Sequence, residues 1–428
     1  MVATAFLLLI ALLALSVPVA ASLGVLGLLL SEIYSPVPLS LAMGEVAWGA
    51  STSFILVAVP FFVLLGEILL RSGIAERMYA AMAQWVSWLP GGLMHANVGA
   101  CSLFAATCGS SVATAATIGT VAVNLIERNR YNERLFLGSL AAGGTLGILI
   151  PPSINLIVYG VLTETSIPKL FLAGVIPGLV LAAAFMLTIL IACLIRPAWG
   201  GRRIETSWPA RLRSLPDLVP PLAIFVIVIG SIYAGWATPT ESAALGVVAA
   251  LVLAACRRRL TLQLLRQAIE GTMITTAMII AILIGAYFLN FVIAVIGLTA
   301  QVSRFVTGLG LSPPETLFAV IVFYLILGMF METLSMMVAT VPIIVPLVIG
   351  MGYDPIWFGV VIVLLIETAM ITPPVGINLF VVQGVRGRGE IRDVIIGAAP
   401  FVIALLAVLG LIVLLPGLAT WLPMVASG

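Results

Sequence analysis

The chain has 428 residues, 62% of them hydrophobic and 8% charged, whereas a soluble domain carries roughly a quarter charged residues. That composition leaves too little polar surface to cover a water-soluble core, and a net charge of +2 gives no reason to expect a nucleic-acid partner. Four scattered cysteines and a single histidine, His95, supply neither metal-ligand spacing nor an evident pairing, so no transition-metal site is expected.

Apolar segments fall near 3–16, 17–31, 48–70, 93–126, 134–164, 169–195, 217–235, 238–256, 272–298, 315–350, 356–384 and 393–415. They are continuous rather than alternating, which points to helices and away from a transmembrane β-barrel. In lipid every backbone polar group must be paired within its own segment, and helices do that. No basic residue precedes the first apolar run, which therefore does not read as a cleaved signal peptide. The run 3–31 fits either two short helices turning near Pro18 or one long tilted helix, and the side of the N-terminus depends on which.

Between the spans, 74–88 and 260–270 are mixed amphipathic stretches. Both are expected to lie along the interface as arms. Segment 93–126 is interrupted at Gly109-Ser110-Ser111, and 315–350 at Met331-Glu332-Thr333. Arms of about 15 residues span about 22 Å, short of a hydrocarbon core of about 30 Å. Re-entrant hairpins with polar tips are the expected result. Segments 134–164 and 356–384 are interrupted at Pro151-Pro152-Ser153 and at Thr372-Pro373-Pro374-Val375-Gly376. Paired prolines remove two N–H donors, so both helices should break within the membrane.

The interruptions recur at one constant offset. Residues 145–160 resemble 368–384, Tyr131-Asn132 and Phe136 match Tyr353-Asp354 and Phe358, and 17–25 echoes 238–247. The tips at Gly109–Ser111 and Met331–Thr333 keep the same offset. Two repeats, 1–210 and 211–428, are the expected organisation, each with a hairpin, a broken helix and an arm. Basic clusters at Arg71/Arg77, Arg128–Arg134, Arg196–Arg213, Arg257–Arg266 and Arg386–Arg392 are placed in the cytoplasm by the positive-inside rule. The first hairpin then enters from the cytoplasm and the second from the opposite face, so the repeats are inverted.

The four breaks carry neutral oxygen donors: Ser110, Ser111, Thr114, Thr145, Ser153 and Asn155 in the first half, and Thr333, Ser335, Thr368, Thr372 and Asn378 in the second. Unwound carbonyls and hydroxyls suit a hard cation, with sodium favoured and one site per half. Helix N-termini aimed inward suit an anionic group. Taken singly, small polar residues more often just let helices approach closely; clustered at matched breaks, they read as a site. Among the carboxylates, Glu332 at the tip is the candidate for ion or substrate contact, and Glu367 lies five residues before Thr372. Glu241 reads as a helix cap and Glu67 as a partner of Arg71.

The sequences CGSSVATAATIG at 108–119, GGTLGILIPPSINLIVYG at 143–160, WATPTESAALG at 236–246 and ITPPVGINLFV at 371–381 resemble the large membrane subunit of tripartite ATP-independent periplasmic (TRAP) transporters. The resemblance covers nearly the whole chain. It implies an all-α, multi-pass protein of the bacterial inner membrane, an ion-coupled elevator importer of organic acids and not an enzyme. It also implies two partners, a small four-helix membrane subunit and a periplasmic solute-binding protein, with sodium the coupling ion and no other cofactor. One sodium site would draw on Gly109, Ser110, Ser111, Gly147, Ser153 and Asn155, the other on Thr333, Thr372, Pro373 and Gly376. Substrate would meet Glu332, Ser110, Thr114 and Asn378. The alternatives are a stand-alone sodium- or proton-coupled carboxylate or anion transporter and, from another class, an intramembrane hydrolase using His95 and Ser110.

Overall fold

The computed structural model describes residues 1–202 and 206–426, and among these it is helical throughout, without a strand. The first part contains α1 (Val2–Ala14), α2 (Val19–Tyr34), α3 (Met43–Ser51), α4 (Ala58–Arg71) and α5 (Ile74–Val86). A hairpin follows, α6 (Leu93–Cys108) and α7 (Ser111–Ala122), with the short α8 (Leu125–Arg128). The first broken helix is α9 (Glu133–Leu149) and α10 (Ile154–Thr163), bent by 40°. Then come α11 (Ile167–Ile195), α12 (Trp208–Tyr233), α13 (Pro239–Cys256), α14 (Leu262–Val295) and α15 (Leu298–Gly308). The second hairpin is α16 (Pro313–Leu327) and α17 (Thr333–Gly350). The second broken helix is α18 (Pro355–Met370) and α19 (Ile377–Arg386), before α20 (Ile391–Leu414) and α21 (Gly417–Ala426).

Among the described residues seven helices are long and apolar enough to cross a membrane, or eight with the bent pair as one span. The N-terminal run is two helices: α1 and α2 turn at Ser16–Pro18, and Ser22 Oγ donates to the Val17 carbonyl across the turn at 3.1 Å. Three segments differ from the sequence expectation. The stretch 260–270 is not a separate arm, because α14 runs unbroken for 34 residues and absorbs it. No proline falls between Leu262 and Val295 to stop it. Helix α12 starts at Trp208, capped where the Ala210 amide donates to Ser207 Oγ, well before the apolar segment expected from 217. The stretch 74–88 is helical as α5, yet it buries Met78, Tyr79, Ala81 and Ala83 rather than lying loosely on a surface.

The two broken helices form the centre. Every residue of α9 from Leu135 to Leu149 is buried, as is every residue of α18 from Trp357 to Met370. Close packing replaces the hydrophobic drive that lipid cannot supply. At the crossing of α9 and α20, Gly138 lies against the Gly397 backbone and Gly397 against that of Arg134, leaving no room for a side chain at either. Outer helices keep large apolar side chains exposed, among them Leu179, Val226, Val248 and Ile403, as a lipid-facing surface requires.

Candidate functional site

Each break is made by the residues that stand there. In the first hairpin α6 ends on Gly109, whose φ of +64° favours glycine. Ser110 caps α7, accepting from the Ala113 amide at 3.4 Å. In the first broken helix the peptide bond Pro151–Pro152 is cis, and Ser153 caps α10 by accepting from the Leu156 amide at 3.3 Å. With prolines at 151 and 152, the Gly147 and Ile148 carbonyls lack the N–H groups that a continuing helix would give them. The second broken helix repeats the pattern with cis Pro373–Pro374: the Met370 carbonyl loses its helical donor, while the Ala369 carbonyl accepts from the Thr372 amide at 3.3 Å.

The first tip and the first break touch. A Cβ on Gly109 would lie 2.8 Å from the Pro152 carbonyl oxygen, and one on Gly147 would lie 2.7 Å from that of Ser110. Ser111 Oγ donates to the Thr145 carbonyl at 3.2 Å. Gly109, Ser110, Ser111, Gly147 and Ser153 are thus one cluster of hydroxyls and carbonyls, with Asn155 in the first turn of α10. The second tip is capped by Glu332, whose carboxylate accepts from the Ser335 amide and hydroxyl at 3.1 Å and from Thr333 Oγ1 at 2.7 Å. Thr333, Gly376 and Met370 share a small crevice there.

Both tips and both breaks border one cavity of about 480 Å³. Ser110, Ser111 and Ala113 come from the first tip, Glu332 and Thr333 from the second, Asn155 from α10, and Met370 and Ile377 from the ends of the second break. The opposite wall is Val63, Gly66, Glu67 and Leu70 of α4 with Thr275, Met278 and Ile279 of α14. Its described lining holds two carboxylates, Glu67 and Glu332, and no lysine or arginine. Glu67 pairs with Arg71 at 2.7 Å, while Glu332 is held by hydrogen bonds alone.

Other expected residues stand back from the cavity. Thr114 is buried and its hydroxyl donates to the Ser110 carbonyl at 2.7 Å, serving the tip from behind. Asn378 is buried against α9, donating to the Ala141 carbonyl at 3.2 Å. Thr372 donates to the Thr368 carbonyl at 2.6 Å, and Pro373 is not on the cavity wall. The wall supplied by α4 and α14 went unforeseen, since Thr275 and Met278 sit in an apolar run without a break. Glu241 is a cap, with the Thr238 amide donating to it at 2.8 Å. His95 Nε2 meets the Pro90 carbonyl at 2.9 Å. It lies in the first turn of α6, at the far end of that 16-residue helix from Ser110, so no nucleophile–base pair forms.

The comparisons with known proteins agree in kind. Residues 6–418 match the family described as Tripartite ATP-independent periplasmic transporter, DctM component. The chain is 37% identical to the C4-dicarboxylate TRAP transporter large permease protein DctM of Pseudomonas aeruginosa, over 94% of this chain and 93% of that one. It is 33% identical to the sialic acid TRAP transporter large permease protein SiaM of Vibrio cholerae, over 88% of this chain and 87% of that one. In structure it is similar to the YdaH transporter of Alcanivorax borkumensis, with a TM-score of 0.61 and 14% identity, over 90% of this chain and 88% of that one.

Proposed function

The chain belongs to the DctM component family of tripartite ATP-independent periplasmic transporters, and from that premise we propose that it is the sodium-driven, substrate-translocating subunit of an organic-acid importer in the inner membrane. The observation that carries this reading is the shared cavity, where two hairpin tips and two broken helices converge. Its lining offers carboxylates, hydroxyls and an amide but no basic side chain. An organic anion has no fixed cation to meet there, so cations must enter with it. The carbonyls stripped of donors by the paired prolines supply neutral oxygens for those cations. On this reading Gly109, Ser110, Ser111, Gly147, Ser153 and Asn155 hold one sodium, and Thr333, Thr372, Pro373 and Gly376 frame the other. Glu332, Ser110, Thr114 and Asn378 form or support the substrate seat.

The same reading takes 1–210 and 211–428 as inverted repeats. The hairpins and broken helices would move as one elevator against α2, α4, α13 and α14. The cavity wall from Val63 to Leu70 precedes Arg71, and Thr275–Ile279 follows Arg266, so under the positive-inside rule the cavity sits toward the cytoplasmic half. The relatives' names carry different acids at similar identity, which supports a class and not one compound. The decisive experiment is uptake in vesicles with imposed gradients. Ser110→Ala and Thr372→Val should each raise the half-saturating sodium concentration while leaving membrane insertion intact. Uptake driven equally well by a proton gradient without sodium overturns the sodium assignment.

A further inference from the structure

Glu367 is the most anomalous group in the fold. Its side chain is wholly buried in α18, and neither carboxylate oxygen has a hydrogen-bond partner. It makes no ion pair among the described residues, unlike Glu67, Glu127, Glu133 and Asp393. A carboxyl in so apolar a place is neutral by protonation unless it faces a counter-charge. None of the packed neighbours supplies one. Helices α9, α10, α11, α16, α17, α19, α20 and α21 pack on α18, and their ionised side chains stand at or near their ends: Glu133 and Arg134, Lys169, Glu315, Arg386, Arg392 and Asp393.

What does lie near Glu367 is the first break, which belongs to the other half of the chain. The backbone of Leu149, the last residue of α9, is beside the carboxylate. The two residues before it, Gly147 and Ile148, carry the carbonyls that Pro151 and Pro152 leave without donors. One turn after Glu367, Met370 lines the same cavity as Ile148 and Asn155. Asn155 is itself 5% exposed, and its Nδ2 has no partner. Two helix C-termini, those of α9 and α18, also converge here and add partial negative charge. The freed carbonyls and the two C-termini favour a cation at this junction, whereas Asn155 Nδ2 is a donor and does not, and Glu367 is the carboxyl packed behind it.

We propose that Glu367 is the electrostatic counter-ion of the first-half sodium site, lent across the repeat boundary to the Gly147–Asn155 break. This rests on the sodium reading above and adds the source of its charge. The carboxylate need not ligate the ion directly, since opposite charges attract through space and more strongly at low effective dielectric. The arrangement would tie ion binding at the first break to a helix of the second half, while leaving the second break to fill on its own.

The test is equilibrium binding of radiolabelled sodium to the purified chain in nanodiscs, with gel filtration confirming the folded state. E367Q should weaken sodium binding roughly tenfold or more. Combined with S110A it should lose less than the two changes add up to separately, whereas combined with T372V the losses should add. E367D, which keeps the charge, should retain most of the parent's affinity and stands in should E367Q not fold. Equal affinity in E367Q and the parent overturns the proposal, as does coupling to T372V in place of S110A. Unchanged sodium binding with loss of pH-dependent uptake in E367Q also overturns it, since the carboxyl would then carry a proton. A parent that binds no sodium at all fails the sodium reading itself, which is a different result.

Discussion

A methyl group at position 147 would sit 2.7 Å from the Ser110 carbonyl oxygen and 2.9 Å from the Ser111 nitrogen. Both contacts are to backbone, so no flexible side chain can yield. Gly147→Ala should therefore push the hairpin tip off the break at a local cost of about 1–3 kcal/mol. Sodium-driven uptake is expected to fall sharply, with normal insertion and yield. Gly24→Ala, where nothing lies within 4 Å, should transport like the parent. Equal uptake by both variants would show that the contact between tip and break does not matter. The oxygen-rich tips were legible in the sequence because Gly-Ser-Ser and Pro-Pro leave few conformations open. The direction of each side chain was not. Thr114 and Asn378 look like site residues by type, yet helix packing turns one hydroxyl onto the Ser110 carbonyl and one amide onto Ala141.

At the scale of elements, a cluster of ion pairs joins the ends of α9, α19 and α20. Arg386, 4% exposed at its side chain, meets Glu133 at 2.9 Å and Asp393 at 3.2 Å. Asp393 also meets Arg134 at 2.8 Å. Arg386→Gln leaves two carboxylates without their shared cation and should lower stability by about 2 kcal/mol, read as an earlier unfolding transition in detergent. Arg388→Gln removes a more exposed partner of Glu127 and should change little. Orientation is tested separately. Cysteines placed at Gly352 or Ser166 should be labelled from the periplasm, and those at Gly201 or Arg388 should not; periplasmic labelling at position 201 would overturn the inverted arrangement. Breaks were readable here where prolines force them. The join between 260–270 and α14 is not legible, because mixed polarity marks an interfacial arm and the first turns of a long helix alike. Gly271, which looks like a stop, instead leaves room for Glu67, whose carboxylate oxygens would lie 2.8 and 2.9 Å from a Cβ there.

For the molecule as a whole, the question is whether this chain can work alone. The described residues form membrane-length helices and short connections, and no extramembrane segment is long enough to make a capture domain of its own. Scarce solute would then have to be delivered, and on the proposed orientation the sparsely charged stretches near 162–168, 299–314 and 350–355 would be the surfaces open to a receptor. Exposed apolar side chains on α12 and α13, such as Val226 and Val248, could meet a small membrane subunit as readily as lipid, since the two environments ask for the same residues. Proteoliposomes holding this chain alone, with free organic acid and a sodium gradient, should show no uptake. Uptake should appear when the small subunit and a loaded periplasmic receptor are added together. Charge reversal at Asp354, which caps α18 by accepting from the Trp357 amide at 2.8 Å, would confound docking with folding. Lys169→Glu, close after the 162–168 connection, is the cleaner change, and it should weaken receptor-dependent uptake without altering the chain's thermal transition. Robust transport by the single chain would overturn the tripartite reading and promote a stand-alone carboxylate carrier of the same fold.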